Sequence, residues 1–394
     1  MTQMPLDGMV VVSIDQAVAA PLAARHLADL GARVIKIERP DGGDFARAYD
    51  AAVRGEASHF IWLNRGKESL AVDLKTEQGQ NILARLLERA DVFLHNLGPG
   101  AVERLGFGAE QLLARHPRLV VCTMSGYGST GPYRDKRAYD LLVQSEAGLV
   151  SLTGTPDHPA KAGIPVADIA AGMYALTNIL GALMRRERFG GGAVIEVTMF
   201  DALVEWMGHP IYVTDHTGAQ PPRVGLSHPV IAPYDAYPTS DGHEVVLGIQ
   251  NDREWVRLAT EVLGDPGLAV DPDYATNVAR VRNREKVDDI VGAAMGTMTI
   301  DEAEAALDRA RIASARLNTM ADVLAHPQLV ARDRWREVQT PAGPIRALRS
   351  AVEPVGEVPL APVPSLGAHT DAILGEIGLN AEEIAQLRDA GVIA

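Results

Sequence analysis

One aspartate near the middle of the chain stands in a setting that could support covalent chemistry. Asp168 opens a predicted helix that carries a single apolar stripe, and small residues surround it at Ala167, Ala170, Ala171 and Gly172. Capping and the helix dipole favour an aspartate at this place, which explains the residue without any chemistry. The small neighbours would also let a bulky ligand approach. We therefore consider the carboxylate a candidate nucleophile toward an activated acyl group, with backbone N–H groups stabilising the oxyanion.

Two other motifs have competing interpretations. Gly126–Gly131 matches the pattern G-x-G-x-x-G after a predicted strand. A dinucleotide site needs a helix to begin at the last glycine of that pattern, whereas Pro132 and a polar run follow here, and the strand is the fifth rather than the first. We favour a glycine-rich loop beside another ligand. Cys122 lies within an apolar strand pattern, which favours a buried structural cysteine over a thiol nucleophile.

Several catalytic motifs are absent from the sequence. It contains no His-x-x-x-His pair, no P-loop and no Gly-x-Ser-x-Gly elbow. Metal catalysis, P-loop phosphate binding and serine-hydrolase chemistry therefore have no support.

Basic and polar residues follow several predicted strands and turns. They cluster with glycine and proline in Arg39–Asp44, Asn64–Lys67, Asn96–Gly100 with Arg104, and Lys136–Arg137. Each cluster alone is explained by a solvated turn. Together they could form a phosphate-binding rim if the fold brings them to one place, because open α/β sheets bind ligands at strand ends.

Composition limits the class of protein. The 394 residues include 37 Lys and Arg against 51 Asp and Glu, a formal charge of -14, which argues against a general nucleic-acid binder. A single cysteine excludes an intrachain disulfide framework. Met1–Gly8 lacks the pattern of a signal peptide, and no apolar run approaches about 18 residues. We expect a soluble, cytoplasmic protein with no membrane partner.

The elements that must position these residues alternate between strand and helix in the first half. Continuous Val, Ile and Leu runs are typical of parallel strands buried on both faces. The pattern predicts a doubly wound α/β layer. Predicted strands are Met9–Ile14, Val34–Ile37, Leu70–Leu74, Val92–Leu94, Leu119–Thr123 and Val194–Val197; predicted helices are Pro21–Leu30, Glu77–Arg89, Ala109–Arg115, Tyr139–Leu152 and Asp168–Arg186.

The second half differs in composition. A Gly- and Pro-rich segment at 217–233 predicts a linker, and Ser240–Gly242 between two short β-rich runs predicts a hairpin. More highly charged helical patterns then run from Asp252 to about Ala310, indicating a smaller second domain. A proline-rich loop at 354–364 precedes a final amphipathic helix, Ala381–Asp389.

An ordered set of short motifs resembles the class III CoA-transferases, the formyl-CoA/carnitine CoA-transferase family that also contains the α-methylacyl-CoA racemases. The set spans almost the whole chain. It comprises Val34–Pro40 with Gly42–Asp44, Asn64–Lys67, Ser69–Lys75, Asn96–Ala101, Ser125–Gly128, Ala138–Gln144, Val166–Asp168, His228–Pro229 with Pro233–Tyr234, and Gly367–Thr370.

The resemblance implies a CoA-transferase that moves CoA from an acyl-CoA donor to a carboxylic acid acceptor. Asp168 matches the family nucleophile and would form an aspartyl anhydride and then a thioester with CoA. Coenzyme A and acyl-CoA are then substrates, with no permanently bound cofactor and no metal. The implied CoA contacts are Val18, Arg39, Val72, Asn96, Leu97, Arg104, Arg137 and Tyr139, with Arg39 and Arg104 at the nucleotide.

The resemblance also implies an architecture: a Rossmann-like large domain, a smaller α+β domain, and an interlocked homodimer. We assign residues 1–205 and 330–394 to the large CoA-binding domain and 225–325 to the small domain, with linkers at 206–224 and 326–329.

Departures from the family pattern keep alternatives open. Val18 replaces a glutamine of some transferases and cannot donate a hydrogen bond to an acyl intermediate, and Gly225–Pro229 replaces a glycine-rich loop, which argues against the formyl and oxalate pair. Tyr139 stands where the racemases have a catalytic histidine, and a phenol is a poor base at neutral pH. An acyl-CoA racemase or epimerase, a CoA-binding protein without transfer chemistry, and, more distantly, a dinucleotide-dependent oxidoreductase remain as alternatives.

Overall fold

A parallel sheet forms from the buried Val, Ile and Leu runs of the first half. The structure is a computed structural model that describes residues 4–352 and 360–394, so residues 354–359 of the predicted proline-rich loop lie outside the described residues. The strands are β1 (Val10–Ile14), β2 (Arg33–Glu38), β3 (Lys67–Ala71), β4 (Val92–His95), β5 (Val120–Ser125) and β6 (Ala193–Thr198). They pair in parallel in the order β3-β2-β1-β4-β5-β6. This order is that of the doubly wound dinucleotide fold and confirms the predicted α/β class.

Helices cover both faces of the sheet. One buried cluster joins the sheet to the helices that contain Leu27 and Leu176, and the other joins it to the helices that contain Leu83 and Leu112. The helices to this point are α1 (Ala19–Asp29), α2 (Ser58–Asn64), α3 (Glu77–Leu87), α4 (Ala101–Arg104), α5 (Ala109–Arg115), α6 (Asp140–Glu146), α7 (Leu149–Leu152), α8 (Val166–Phe189), α9 (Met199–Trp206) and α10 (Gly208–Thr217). The helix predicted over Tyr139–Leu152 is interrupted at Gly148, whose φ is +84°.

Within the part of the chain that the structure describes, α8 is the one helix long and apolar enough to cross a membrane by length and composition alone. Its residues Leu176, Ile179 and Leu183 are buried in the cluster that includes α1 and the sheet. Helix α8 therefore packs as a core helix of the first half of the chain.

The contacts divide the chain into two compact units. The first contains the described residues of Met1–Leu149, Ala162–His209 and Leu329–Ala394, and the second contains Val150–Lys161 and Pro210–Gln328. Residues 150–161, which we assigned to the large domain, thus cluster with the second unit. The segment 206–224, which we assigned to a linker, includes the whole of helix α10.

The second unit has a sheet of its own. Its strands β7 (Tyr234–Pro238), β8 (Glu244–Gly248) and β9 (Ala313–Arg316) pair antiparallel in that order, and β7 and β8 form the predicted hairpin. Its buried cluster includes Val245, Leu247, Trp255, Val291 and Leu307. The helices are α11 (Asp252–Arg257), α12 (Asn277–Arg282), α13 (Arg284–Met295), α14 (Ile300–Arg309) and α15 (Met320–Leu324).

The C-terminal part of the chain returns to the first unit. The return falls within α16 (Pro327–Ala331), at Leu329, and the elements that follow are the hairpin β10 (Trp335–Val338) and β11 (Ile345–Leu348), α17 (Thr370–Glu376) and α18 (Ala381–Asp389). The Gly367–Thr370 motif binds along β3: the Nδ1 atom of His369 accepts the N–H of Ser69 (3.1 Å), and the Oγ1 atom of Thr370 accepts that of Ala71 (3.1 Å). This segment therefore covers the edge of the sheet.

Candidate active site

The start of helix α8 is held by a side chain from α6. Pro165 is the N-cap of α8 and makes no side-chain capping bond. Instead, Oδ1 of Asp140 accepts the N–H groups of Ala167 (2.8 Å) and Asp168 (3.4 Å). The other carboxylate oxygen of Asp140 accepts the Nε2 group of Gln144 at 2.6 Å. Asp140 thereby satisfies backbone N–H groups that a helix start leaves free.

The carboxylate of Asp168 lies at the N-terminus of a second helix, α1. Val18 is the N-cap of α1 and has no capping side chain, and the N–H of Ala19, the first residue of α1, acts on the Asp168 carboxylate and lowers its pKa. Asp168 is also in the first turn of its own helix. Two helix N-termini therefore direct positive partial charge at this one carboxylate.

Burial and the negative charge of Asp140 act in the opposite direction. Together they raise the pKa of Asp168 from 3.8 to about 7, although the hydrogen bond from Ala19 lowers it. The side chain keeps partial contact with solvent. At neutral pH a substantial fraction of this carboxylate is ionised, and a more basic carboxylate is a stronger nucleophile than an ordinary surface aspartate.

The small residues beside Asp168 serve helix packing, and our interpretation of them as space for a ligand is wrong. Ala167, Ala170, Ala171 and Gly172 are all buried. A Cβ atom on Gly172 would lie 2.7 Å from the carbonyl oxygen of Ala19. The small side chains allow α1 to approach α8 closely, and this approach brings the Ala19 N–H to Asp168.

A cavity of about 330 Å³ opens at the carboxyl ends of the strands. It is lined by the ends of β1 and β2, by residues following β3 and β4, and by Gly391 near the C-terminus. Strand order reverses between β1 and β4, so the cavity lies at the topological switch point, where open α/β sheets bind ligands.

Several predicted CoA contacts meet at this cavity. Arg39, Val72 and Leu97 line it. Arg39 is exposed and donates weakly to the carbonyl of Gly43 (3.3 Å). Asn96 precedes Leu97 and exchanges two hydrogen bonds with the backbone of Gln16. The clusters predicted to converge therefore do so in part.

The other predicted residues do not line the cavity. Arg104 ends α4 on the surface, and its neighbour Leu105 is a lining residue. Val18 is buried and packs in one cluster with Ile169, the residue after Asp168. Tyr139 is 66% exposed and immediately precedes α6, and Arg137 is exposed beside it. Asp168 itself is also outside the cavity lining.

Four residues at or near the site were not predicted as site residues. Ala19 contributes a backbone group, so no side-chain pattern could reveal it. Asp140 is brought to Asp168 by the tertiary fold, which local sequence does not show, although its spacing of four residues from Gln144 predicts that these two side chains contact each other on one helix. Tyr49 is the third: partial burial raises its pKa, and the charges of Asp44 and Asp168 act on it in the same direction. Lys75, which lines the cavity, belonged to a quoted motif without being singled out.

The glycine-rich loop does not form a dinucleotide site. No helix begins at Gly131, and residues 132–139 are irregular or turn. A Cβ atom on Gly126 would lie 2.1 Å from the Cβ of Ala138, so this glycine permits a close approach of two loops. Cys122 is fully buried, and burial raises its pKa to about 12, which confirms a structural cysteine.

Comparison with known proteins identifies the family. The pattern described as CoA-transferase family III matches residues 6–370. The chain belongs to CoA-transferase family III. It is 34% identical to a succinate–glutarate CoA-transferase of Agrobacterium fabrum, over 95% of this chain and 96% of that protein. It is 33% identical to a succinyl-CoA–D-citramalate CoA-transferase of Chloroflexus aurantiacus, over 99% and 98%.

A solved structure gives the same answer for the fold. A CAIB/BAIF family protein from Brucella suis superposes with a TM-score of 0.84 and 35% identity, over 95% of this chain and all of that one. The resemblance drawn from the ordered motifs is thus confirmed, and the supported activity of this family III CoA-transferase is CoA transfer.

One motif of this CoA-transferase lies in the second unit. The N–H of Gly225 donates to the carbonyl of Gly154 (2.9 Å), and the His228 ring stacks on Tyr234 with centroids 5.4 Å apart. The loop that replaces the glycine-rich loop of the formyl-CoA transferases is therefore fixed within its own unit. Its role in specificity stays a prediction.

Proposed function

We propose that Asp168 is the nucleophile of an acyl-CoA:carboxylate CoA-transferase. The observation that carries the proposal is the setting of this carboxylate: it lies between two helix N-termini, and burial and Asp140 raise its pKa to about 7. The N–H of Ala19 that contacts it would stabilise negative charge whenever the carboxylate leaves. A group that must attack and then depart repeatedly needs both properties.

The exchange proceeds in four displacements. An Asp168 oxygen attacks the acyl carbon of the donor, the C–S bond breaks, and CoA thiolate leaves a mixed anhydride. The thiolate attacks the Asp168 carbonyl carbon, giving an aspartyl-CoA thioester and the free donor acid. The acceptor carboxylate then attacks this thioester, releasing thiolate and forming a second anhydride. Thiolate attack on its acceptor acyl carbon gives the new acyl-CoA and restores Asp168.

The cavity at the strand ends is the proposed place for CoA. Arg39 and Lys75 line it, and Arg104 lies close in sequence to the lining residue Leu105. These cations would attract the phosphates of CoA, while Val72 and Leu97 supply apolar surface. Of the remaining predicted contacts we keep Val18, Arg137 and Tyr139 in the proposal; the side-chain amide of Asn96 is engaged by the backbone of Gln16. The unit that holds the cavity would then be the CoA-binding domain, and the chain would need no permanently bound cofactor.

The substrates we propose are short dicarboxylic acids and their CoA thioesters. The names of the relatives support this choice, since they include succinate, glutarate and D-citramalate.

We also propose an interlocked homodimer. Large apolar side chains on α8–α10 are exposed in the single chain, among them Phe189 (78%) and Tyr212 (69%), and a second copy would cover such surface. Light scattering that gives the mass of one chain would overturn the dimer.

Trapping the intermediate tests the nucleophile. Purified protein is incubated with succinyl-CoA, glutaryl-CoA or acetyl-CoA in the presence of hydroxylamine, and peptides are mapped by mass spectrometry. We expect a hydroxamate on Asp168 with the dicarboxylyl donors and no adduct in Asp168→Asn.

Asp201→Asn is the matched control, because Asp201 occupies the corresponding third position of helix α9. It should trap adduct on Asp168 as the wild type does. A wild-type Asp168 that stays unmodified while CoA binds would overturn the assignment.

A further inference from the structure

The loop between β1 and α1 is held by side chains from three other parts of the fold. Nζ of Lys36, on β2, donates to the carbonyl of Asp15 at 2.7 Å. Asn96, after β4, accepts the N–H of Gln16 (2.9 Å) and donates to its carbonyl (2.8 Å). Asp44 accepts the N–H of Ala17 at 3.2 Å. Three consecutive residues are thus fixed at their backbone atoms.

Charge buried under the loop reinforces these contacts. Lys36 is fully buried and binds both Asp15 and Asp44, the latter at 2.9 Å. Lys67 approaches the other oxygen of Asp15 at 2.8 Å. Burial alone would raise the pKa of Asp15, but the charges of Lys36 and Lys67 lower it to about 2. Buried ions are costly and lose most of their value when one partner is removed, so this arrangement resists movement of the loop.

The loop has an unfavourable backbone conformation that the clamps maintain. Ala17 has a φ of +62°, in the left-handed region that a residue with a Cβ atom rarely adopts. Val18 and Ala19 follow directly: Val18 packs in one cluster with Ile169, and the N–H of Ala19 acts on the Asp168 carboxylate and lowers its pKa. The turn at Ala17 therefore sets the direction of the Ala19 N–H, which acts on that carboxylate.

We propose that Asn96, Asp44 and Lys36 are positioning residues for the transfer reaction, because they hold residues 15–17 so that the Ala19 N–H stays on Asp168. The inference rests on Asp168 being the nucleophile. It gives Asn96 a role different from direct contact with CoA, since the oxygen and the nitrogen of its amide are both engaged by Gln16.

The two roles of Asn96 predict different kinetics. A positioning residue affects the reacting carboxylate once donor is bound, whereas a CoA contact affects binding. For Asn96→Ala we expect hydroxamate formation on Asp168 at saturating succinyl-CoA to slow about tenfold to a hundredfold, the range that misplacement of a reacting group produces. The Kd for CoA should stay within about twofold of the wild type. Asn96→Asp, which keeps the acceptor for the Gln16 N–H, should give a smaller loss.

Asn380→Ala is the matched control. It removes an asparagine side chain that also accepts two backbone N–H groups, those of Glu382 and Glu383, at the start of α18. It should leave the trapping rate unchanged. Amide hydrogen exchange adds an independent readout: exchange in a peptide spanning 15–22 should rise in Asn96→Ala and not in Asn380→Ala.

The possible outcomes separate the two proposals. Wild-type protein without a hydroxamate overturns the proposed function. Wild-type protein with a hydroxamate, together with an Asn96→Ala variant that traps at the normal saturated rate but binds CoA weakly, overturns the positioning role. If Asn96→Ala does not fold, the same measurements on Asp44→Asn decide, because the amide oxygen can still accept from Ala17 while the bond from Lys36 is lost.

Discussion

Oδ1 of Asp140 accepts the backbone N–H of Asp168 at 3.4 Å, beside the shorter bond that it accepts from Ala167. The same carboxylate therefore fixes the backbone of the proposed nucleophile and repels its charge. The position of the Asp168 backbone and the pKa of its carboxyl therefore both depend on the side chain of Asp140. The substitution Asp140→Asn separates the two effects, because it keeps the accepting oxygen and removes the charge.

The first prediction concerns pH. Only the ionised form of Asp168 attacks, so trapping at saturating donor should rise with pH through about 7 and level off above it. Asp140→Asn keeps an oxygen for the Ala167 N–H but removes the charge that raises the pKa of Asp168. Its profile should therefore shift to lower pH. Single-turnover trapping between pH 5 and 9 measures both profiles, and the same profile in the two proteins would contradict the electrostatic role of Asp140.

The second prediction concerns stability. Between pH 4 and 7 the folded protein holds a proton on Asp168 that the unfolded chain has released, so this residue costs stability as pH rises through that range. Asp168→Asn removes the cost, which is at most about 4 kcal/mol by linkage and smaller because water reaches the side chain. In urea unfolding, the free energy of unfolding of the variant should increase relative to that of the wild type between pH 4.5 and pH 8. A constant difference between them would contradict the raised pKa.

The fold of the first unit was predictable because its signal is local. Helices Ala109–Arg115 and Ala381–Asp389 were predicted with the bounds that the structure shows, since the apolar spacing lies within each segment and, for the second helix, the capping residue Asn380 lies directly before it. The strand predicted at Leu70–Leu74 begins three residues earlier, at Lys67. Lys67 is buried because it pairs with Asp15, a partner 52 residues away, and no local pattern could show that it belongs to a strand.

The candidate site was predictable only in part for the same reason. Asp168 could be found because it has a distinctive sequence context and a family motif. Its partners Ala19 and Asp140 are separated from it by long stretches of chain, and the first acts through its backbone. The alanines around Asp168 had two possible explanations, ligand access or helix packing, and only the position of α1 decides between them.

The third prediction assigns the basic residues of the cavity. Arg39→Ala and Arg104→Ala should each raise the KM for succinyl-CoA by about tenfold, the usual effect of losing one charged hydrogen bond. Neither should change the KM for succinyl-pantetheine, which lacks the nucleotide. Arg118→Ala is the control, since Arg118 is exposed and pairs with Glu187. An equal increase in KM for succinyl-CoA and for succinyl-pantetheine would show that these arginines do not contact the nucleotide.

The fourth prediction uses the contact between α1 and α8. Gly172→Ala puts a methyl group 2.7 Å from the Ala19 carbonyl, so α1 must move and carry the Ala19 N–H away from Asp168. We expect a loss of about 1–3 kcal/mol of unfolding free energy from overpacking. Trapping on Asp168 should fall at least tenfold, because a small displacement of a reacting group is costly. Gly181 lies on the same helix, and a Cβ atom placed on it would have no atom within 4 Å. Gly181→Ala should therefore increase the free energy of unfolding by up to about 1 kcal/mol and leave the rate of trapping on Asp168 unchanged. If Gly172→Ala is destabilised but traps at the wild-type rate, the Ala19 N–H is dispensable for the chemistry, and the close packing of the two helices serves stability alone.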